Sequence, residues 1–481
     1  MDNINSKVVA KVKHPVKIMQ FGEGNFLRAF VDWIVDEMNK KANFNAGVVV
    51  VQPMPFGRCK ELQEADGLYT LYLQGLENGK VIKTHEVIDV LDDFINPYSQ
   101  YDKYLKYAES EDLEVVISNT TEAGIVLDES DIDFSKTPNT FPGKVLALLE
   151  RRYSHFNGDV TKGLSFICCE LIDYNGEELR RCVLGLAKAK KCDEAFIKWI
   201  NEACHFTSTL VDRIVPGYPR DEIKEITEEL GYIDNNIVKG EIFHLWVLQK
   251  ESHIEKVFPC DKVGLNVIYA ESIVPYKQRK VKILNGCHTC MVPVAYLYGI
   301  DTVKESIENE HIGKFTNEFV FDEVVPTIAL PSDQMVSFAN SVFERYLNPF
   351  IRHELMSIAL NSISKYKARV MQTVKDYYQI NNSLPTHAMF SLASLIKFYF
   401  GVRKENETIK LNDDPRYIEF FENLKKEILS EEEIVRRVLA NVDMWDEDLN
   451  KFANMHDVVS SYLKLINEKG MKEALATFLS K

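Results

Sequence analysis

The sequence predicts an α/β fold, with a parallel sheet and added antiparallel strands in the N-terminal half and a mostly helical C-terminal domain. Three observations lead there. Short continuous apolar runs alternate with helix-like segments through the first half, a glycine-rich turn follows the first of those runs, and beyond about residue 275 helical periodicity takes over. At 481 residues the chain is too long for one ordinary core, so two large domains are expected, 1–274 and 275–481.

Val16–Phe21 is an apolar run ending in glycines, and residues 26–38 then carry apolar side chains at helical spacing. Gly47–Val51 is a β-branched run too short for a helix, and Val115–Ser118 and 164–169 are two more. Continuous apolar strands separated by helices belong to a parallel sheet covered on both faces. Residues 69–73 and 81–90 alternate apolar and polar, with Gly75 and Gly79 between them, and read as an antiparallel pair added to that sheet. Residues 264–272 are a further strand candidate. Helices are expected over 275–299, 303–312, 315–328, 353–374, 385–400, 415–429, 431–439 and 457–479.

The composition, 46% hydrophobic and 27% charged, is that of a soluble globular protein. No apolar run approaches the roughly 18 residues of a membrane span, and the N-terminus has no apolar signal core, so the cytoplasm is expected. The nine cysteines are expected to be free thiols there. Cys287-x-x-Cys290 has no second ligand pair to complete a zinc site, and no metal is expected. A net charge of -15 disfavours nucleic acid as a partner, and an anionic substrate would need a local cluster of cations. The sequence leaves the oligomeric state open.

The first strand runs into Gly22-Glu23-Gly24, then a helix. Glycines there allow a tight turn and close approach of a dinucleotide pyrophosphate, so the first domain reads as Rossmann-like. Met19, Gln20, Phe21, Gly22, Glu23, Gly24, Asn25 and Phe26 are the candidate cofactor-binding segment. Leu27 stands where the full fingerprint has its third glycine, and a plain glycine turn is the alternative. The next strand ends in Gln52 rather than an acid, with Arg58 a few residues on, which leaves NAD and NADP both open. Asn119, Thr120, Thr121 and Glu122 follow the strand Val115–Ser118, where small polar residues would face a ligand crevice.

One further constellation carries chemistry. At about 100° per residue, Asn285 sits about 140° and His288 about 80° from Lys280 on a helix, so the three share an arc. Ketone reduction needs a donor aimed at the developing oxyanion and a proton for the new hydroxyl. A lysine could supply both, an asparagine amide could assist, and a histidine could orient the substrate; a solvated lysine face and a structural histidine are the alternative.

Lys280-x4-Asn285-x2-His288 resembles the signature of the polyol-specific long-chain dehydrogenases, the mannitol dehydrogenase family. Residues 18–30 (IMQFGEGNFLRAF), 118–125 (SNTTEAGI), 169–176 (CELIDYNG), 210–221 (LVDRIVPGYPRD), 264–268 and 280–299 are similar to its tagaturonate-reducing branch. The resemblance implies NAD as cofactor, no zinc, and interconversion of D-tagaturonate and D-altronate. It implies Lys280 as general acid/base, Asn285 as oxyanion donor and His288 as substrate-orienting residue. Fructuronate or a neutral polyol would be the alternative substrate. A metal enzyme using Cys287, His288 and Cys290, or a non-catalytic helical scaffold, would be the alternative class. The mannitol enzymes carry a second oxyanion asparagine where this chain has Leu171. The carboxylate of a sugar acid would need a local cation. Asp212, Arg213, Arg352 and His353 are the candidate substrate residues, with Arg220, Lys277 and Lys365 as further cations.

Overall fold

The computed structural model describes residues 1–121, 123–251, 253–403 and 407–480. The chain divides into two compact units, one of residues 1–74 and 81–273, the other of 75–80 and 274–481.

Among the described residues eleven strands form: β1 (Val16–Phe21), β2 (Gly47–Val51), β3 (Tyr69–Glu77), β4 (Lys80–Ile88), β5 (Leu91–Ile95), β6 (Val115–Ser118), β7 (Ser165–Cys168), β8 (His205–Asp212), β9 (Val238–Glu241), β10 (Leu245–Gln249) and β11 (Val267–Ala270). Eight of them make one sheet in the order β11-β10-β8-β7-β6-β1-β2-β5. Its six parallel strands, β5-β2-β1-β6-β7-β8, follow the doubly wound order 3-2-1-4-5-6 of a Rossmann fold. Every residue of β2, β6 and β7 is buried, because both faces are covered. Val48 and Val50 enter one core, while Val49 and Val51 enter the other, as the two-residue side-chain period requires.

The added antiparallel pair is not where the alternation placed it. β3 and β4 form a separate three-stranded sheet with β9, in the order β4-β3-β9. The place beside β2 is taken by β5, whose Leu-Asp-Asp-Phe-Ile sequence hides its strand character. The strands that run against the six are β10, set antiparallel to β8 with Trp246 opposite Val211, and β11, parallel to β10.

The helix expected over 26–38 is broken into α1 (Asn25–Arg28) and α2 (Val31–Ala42). Two buried side chains explain the break. The Tyr69 hydroxyl donates to the Arg28 carbonyl at 2.7 Å, and Arg213 Nη1 donates to the Ala29 carbonyl at 2.6 Å. Those carbonyls would otherwise accept from the next helical turn.

The second unit is helical. The expected 275–299 segment is helical throughout, but Lys280–Asn285 winds as a π-helix between α-helical Val274–Arg279 and Gly286–Tyr298. Two further π turns, Phe319–Val324 and Lys367–Met371, both contact the first. The helix Ser332–Tyr346 was not foreseen. Thr386–Tyr399 packs on Gly286–Tyr298 and on the C-terminal Met455–Leu479, which kinks at Gly470. Among the described residues, no helix is long and apolar enough to cross a membrane.

At the start of Thr386–Tyr399 the His387 ring lies between two carboxylates. Its Nδ1 is 3.0 Å from Glu323 and its Nε2 is 3.1 Å from Glu318. Burial opposes the charge, but the hydrogen bonds and charges of Glu323 and Glu318 outweigh it and hold the imidazole pKa above its ordinary value. This contribution to stability is complete below the unfolded-state value of about 6.5 and fades as pH rises through the raised folded-state value. Between about pH 6 and about pH 9 the unfolding temperature of the wild type should fall more steeply than that of His387→Gln. Parallel curves by differential scanning fluorimetry would refute this.

Candidate active site

Register fixes the crevice of the first unit. Phe21 at the end of β1 pairs with Val51 of β2 on one side and with Ser118 of β6 on the other. The loops after β1, β2 and β6 therefore leave the sheet at its topological switch point, where α/β sheets bind ligands. Gly22 has φ +121° and donates its N–H to the Val51 carbonyl at 3.1 Å. A Cβ on Gly24 would meet nothing within 4 Å, so the turn presents bare backbone to open space. A crevice of about 600 Å³ opens there, lined by Gly22, Glu23, Gly24 and Asn25, by Pro53, Met54 and Arg58, and by Asn119, Thr120 and Thr121. Exposed glycine backbone at a switch point fits a dinucleotide pyrophosphate.

The expected cofactor residues divide. Gly22, Glu23, Gly24, Asn25, Asn119, Thr120 and Thr121 line the crevice. Met19 and Phe21 are fully buried side chains of the sheet core, so they support the turn rather than face a ligand. Gln20 is also fully buried, and its amide donates to the Gly22 carbonyl at 3.0 Å. Phe26 is half-buried and stacked on Phe30. Gln52 is buried, with its amide given to the Met54 carbonyl at 2.9 Å. Glu122 lies outside the described residues.

Two residues that hold the crevice were not foreseen. Arg28, buried, donates to the Glu23 carbonyl at 3.3 Å and to Asn25 Oδ1 at 2.8 Å, which braces the glycine turn from beneath. Glu170, just beyond β7, accepts the Thr120 N–H at 2.9 Å, and burial pushes its carboxyl pKa up. Arg28 closes α1 and Glu170 follows an apolar strand, and neither position gave a sign of its long-range partner, the Asn236 carbonyl for Arg28 and the Thr120 N–H for Glu170.

The second unit carries Lys280, Asn285 and His288. A π turn bonds residues five apart and widens the helix, so Lys280 and Asn285 lie closer on one face than α-helical spacing implied. Lys280 is half-buried. Lys282 turns the other way, into the protein, where it is buried and donates to Asp376 at 2.6 Å. The Asn285 side-chain amide makes no hydrogen bond with a described residue, while its carbonyl accepts from Thr289 Oγ1 at 2.8 Å.

His288 stacks on Tyr346 at 4.2 Å and meets the edge of His353 at 5.1 Å. Its Nε2 is buried and has no hydrogen-bond partner among the described residues. Burial, then the neighbouring His353, Arg345, Arg369 and Lys365, hold its pKa well below the ordinary histidine value, so the ring is neutral. Lys365 donates to the Ile358 carbonyl at 2.9 Å and Arg369 lies 3.4 Å from Thr289 Oγ1. Neither forms an ion pair with a described carboxylate, although they stand one helical turn apart, a repulsive spacing.

The substrate candidates also divide. His353 joins His288. Arg352 is exposed and ion-paired with Glu354 at 2.5 Å, away from the cluster's contacts. Asp212 closes β8, buried opposite Leu245. Arg213 is a fold residue: buried, 4.2 Å over the Trp33 ring, it donates to the carbonyls of Ala29, Ile242 and Phe243. Burial lowers its pKa to about 9. All nine cysteines are free, and burial pushes the Cys287 thiol up to about 12.

Residues 16–259 match the mannitol dehydrogenase Rossmann domain, and residues 272–466 match the mannitol dehydrogenase C-terminal domain. The chain belongs to the mannitol dehydrogenase family. An altronate oxidoreductase of Bacillus subtilis (strain 168) is 44% identical over 484 residues, which cover 99% of this chain and 98% of that one. The structure of D-sorbitol dehydrogenase in substrate-free form is similar with TM-score 0.83 at 22% identity, over 98% of this chain and 100% of that one. Mannitol 2-dehydrogenase of Pseudomonas fluorescens, in a ternary complex with NAD and D-mannitol, gives 0.68 at 20% identity over 100% of both chains. At these identities the structures share the fold. Membership of the family makes the chain an NAD-dependent oxidoreductase acting on a CH–OH group.

Arg213 can be assigned by experiment. Arg213→Met strands one buried carbonyl and two half-buried ones and should lower the unfolding free energy by about 2 kcal/mol, with KM for the sugar substrate unchanged. A stable variant with a raised KM would instead return Arg213 to the substrate site.

Proposed function

We propose that the protein interconverts D-altronate and D-tagaturonate with NAD, in sugar-acid breakdown. The observation that carries the substrate class is the cationic cluster around His288. In a chain of net charge -15, Lys365 and Arg369 stand together without a carboxylate partner among the described residues. Such a pair suits a substrate that brings its own carboxylate, which a neutral polyol lacks. The altronate oxidoreductase that is 44% identical over its whole length supports the same choice. The nine free thiols suit a reducing compartment, in keeping with a cytoplasmic enzyme.

In this reading Gly22, Gly24 and Asn25 hold the pyrophosphate, and Asn119, Thr120 and Thr121 line the crevice beyond it. When bound, the nicotinamide supplies the hydride for reduction and accepts it in oxidation. Lys280 gives its proton to the ketone oxygen as that oxygen becomes a hydroxyl, and takes it back in the reverse direction. Asn285 donates a hydrogen bond to the same oxygen while negative charge develops there. His288 is neutral and offers Nε2 to a substrate hydroxyl, its ring held by Tyr346 and His353. Lys365 and Arg369 pair with the carboxylate.

Lys280→Ala should reduce turnover by about 10²–10⁴-fold while NADH binding, followed by fluorescence, is retained. Near-normal turnover would overturn the assignment of the acid. Arg369→Leu should raise KM for tagaturonate by about tenfold or more and leave any residual reduction of fructose unchanged. Assays of tagaturonate, fructuronate and fructose side by side check the substrate. A preference for fructose would defeat the sugar-acid reading.

A further inference from the structure

Dinucleotide folds that select NAD ordinarily carry an acid at the end of the second strand, where it accepts from the adenosine ribose hydroxyls and repels a 2′-phosphate. β2 has none. Gln52 follows it, buried, and its amide is committed to the Met54 carbonyl. The nearest cation, Arg58, would suit NADP if its charge were aimed at the crevice.

The geometry fills the missing position from another part of the chain. Glu23 stands between the two glycines of the turn and lines the crevice. Its side chain reaches the end of β2, where Oε1 accepts the Arg58 N–H at 3.1 Å. A Cβ on Gly57 would fall 2.1 Å from that same oxygen and 2.7 Å from Gln52 Cγ. The carboxylate of Glu23, the side chain of Gln52 and the backbone at 57–58 therefore meet at one point, where Glu23 and Arg58 line the crevice. Gly57 is what lets them meet. The guanidinium of Arg58 is anchored elsewhere, with Nη2 donating to the Asn235 carbonyl at 3.0 Å and to Asn236 Oδ1 at 3.1 Å.

We propose that Glu23, supplied by the glycine turn, takes the place of the absent β2 acid: it accepts from the adenosine ribose hydroxyls and excludes a 2′-phosphate, and so sets the preference for NAD over NADP. The inference rests on the reading that this crevice holds the dinucleotide.

Fluorescence titration of the full-length protein with NADH and with NADPH tests it without reference to turnover. The wild type should bind NADH more tightly than NADPH. Glu23→Gln, which keeps the size and the acceptor for the Arg58 N–H, should narrow the NADPH-to-NADH ratio of Kd values by at least about tenfold, mainly by tightening NADPH. Glu23→Ala should narrow it in the same direction, and Arg58→Ala should not weaken NADPH. An unchanged ratio in both Glu23 variants, each folded by its melting curve, would overturn the proposal while leaving the cofactor site in place. A wild type that binds neither dinucleotide would remove the cofactor reading, and this inference with it.

Discussion

The parallel register of β1 against β2 and β6 is the constraint on which the cofactor half depends. Because Phe21 is level with both Val51 and Ser118, three loops leave the sheet together and turn apart. The gap between them is a consequence of strand order, and no side chain has to be excavated to make it. What the local sequence adds is a positive-φ turn at Gly22 and unobstructed bare backbone at Gly24. Slipping β1 by one residue would exchange Met19 and Phe21 with Gln20 across the two cores, so burial on both faces locks the register.

Buried polar groups then shape what the strands only outline. Arg28, Arg213, Tyr69 and Glu170 each sit in a nearly water-free place, and each has a hydrogen-bond partner far along the chain, for Arg28 the carbonyl of Asn236. An unpaired group there would cost far more than the net gain of the bond, so these contacts specify geometry more than they add stability. Arg28 clamps the glycine turn, Glu170 clamps the loop after β6, and Tyr69 with Arg213 ends α1. The second unit uses the π turn Lys280–Asn285 in a comparable way. It re-aims Asn285 relative to Lys280 while Lys282, paired with Asp376, anchors the opposite face. Within this acidic protein, positive charge is gathered around a neutral histidine from two helical stretches, Arg345 from Ser332–Tyr346 and Lys365 with Arg369 from the continuous stretch 362–371.

Lys280, Asn285, His288 and the Gly22–Asn25 turn were legible because their spacing carries the signal within a dozen residues. Residues 18–30 and 280–299 could also be matched to a family for that reason. Arg345, Tyr346 and Arg369 were not, since their meeting with His288 depends on how the helices Ser332–Tyr346 and Gly286–Tyr298 and the π turn at 367 pack. Arg213 and Arg352 show the reverse error: a cation near a motif looks available until its partners are known. The separation of β3 and β4 into their own sheet has the same origin, because alternation reports one exposed face and says nothing about which edge is vacant.

The sequence by itself determined the fold class, the helical second unit and the glycine turn, and singled out Lys280, Asn285 and His288 as candidates for carbonyl chemistry, because periodicity and short spacings are local properties of the chain. Only the tertiary structure decided the helix break at Ala29, the π turn beneath Lys280, the structural duty of Arg213 and the meeting of Glu23 with the end of β2. Each of those depends on a contact between residues distant in sequence. Such contacts are set by three-dimensional packing and by the need to pair every buried donor and acceptor, which no local pattern records.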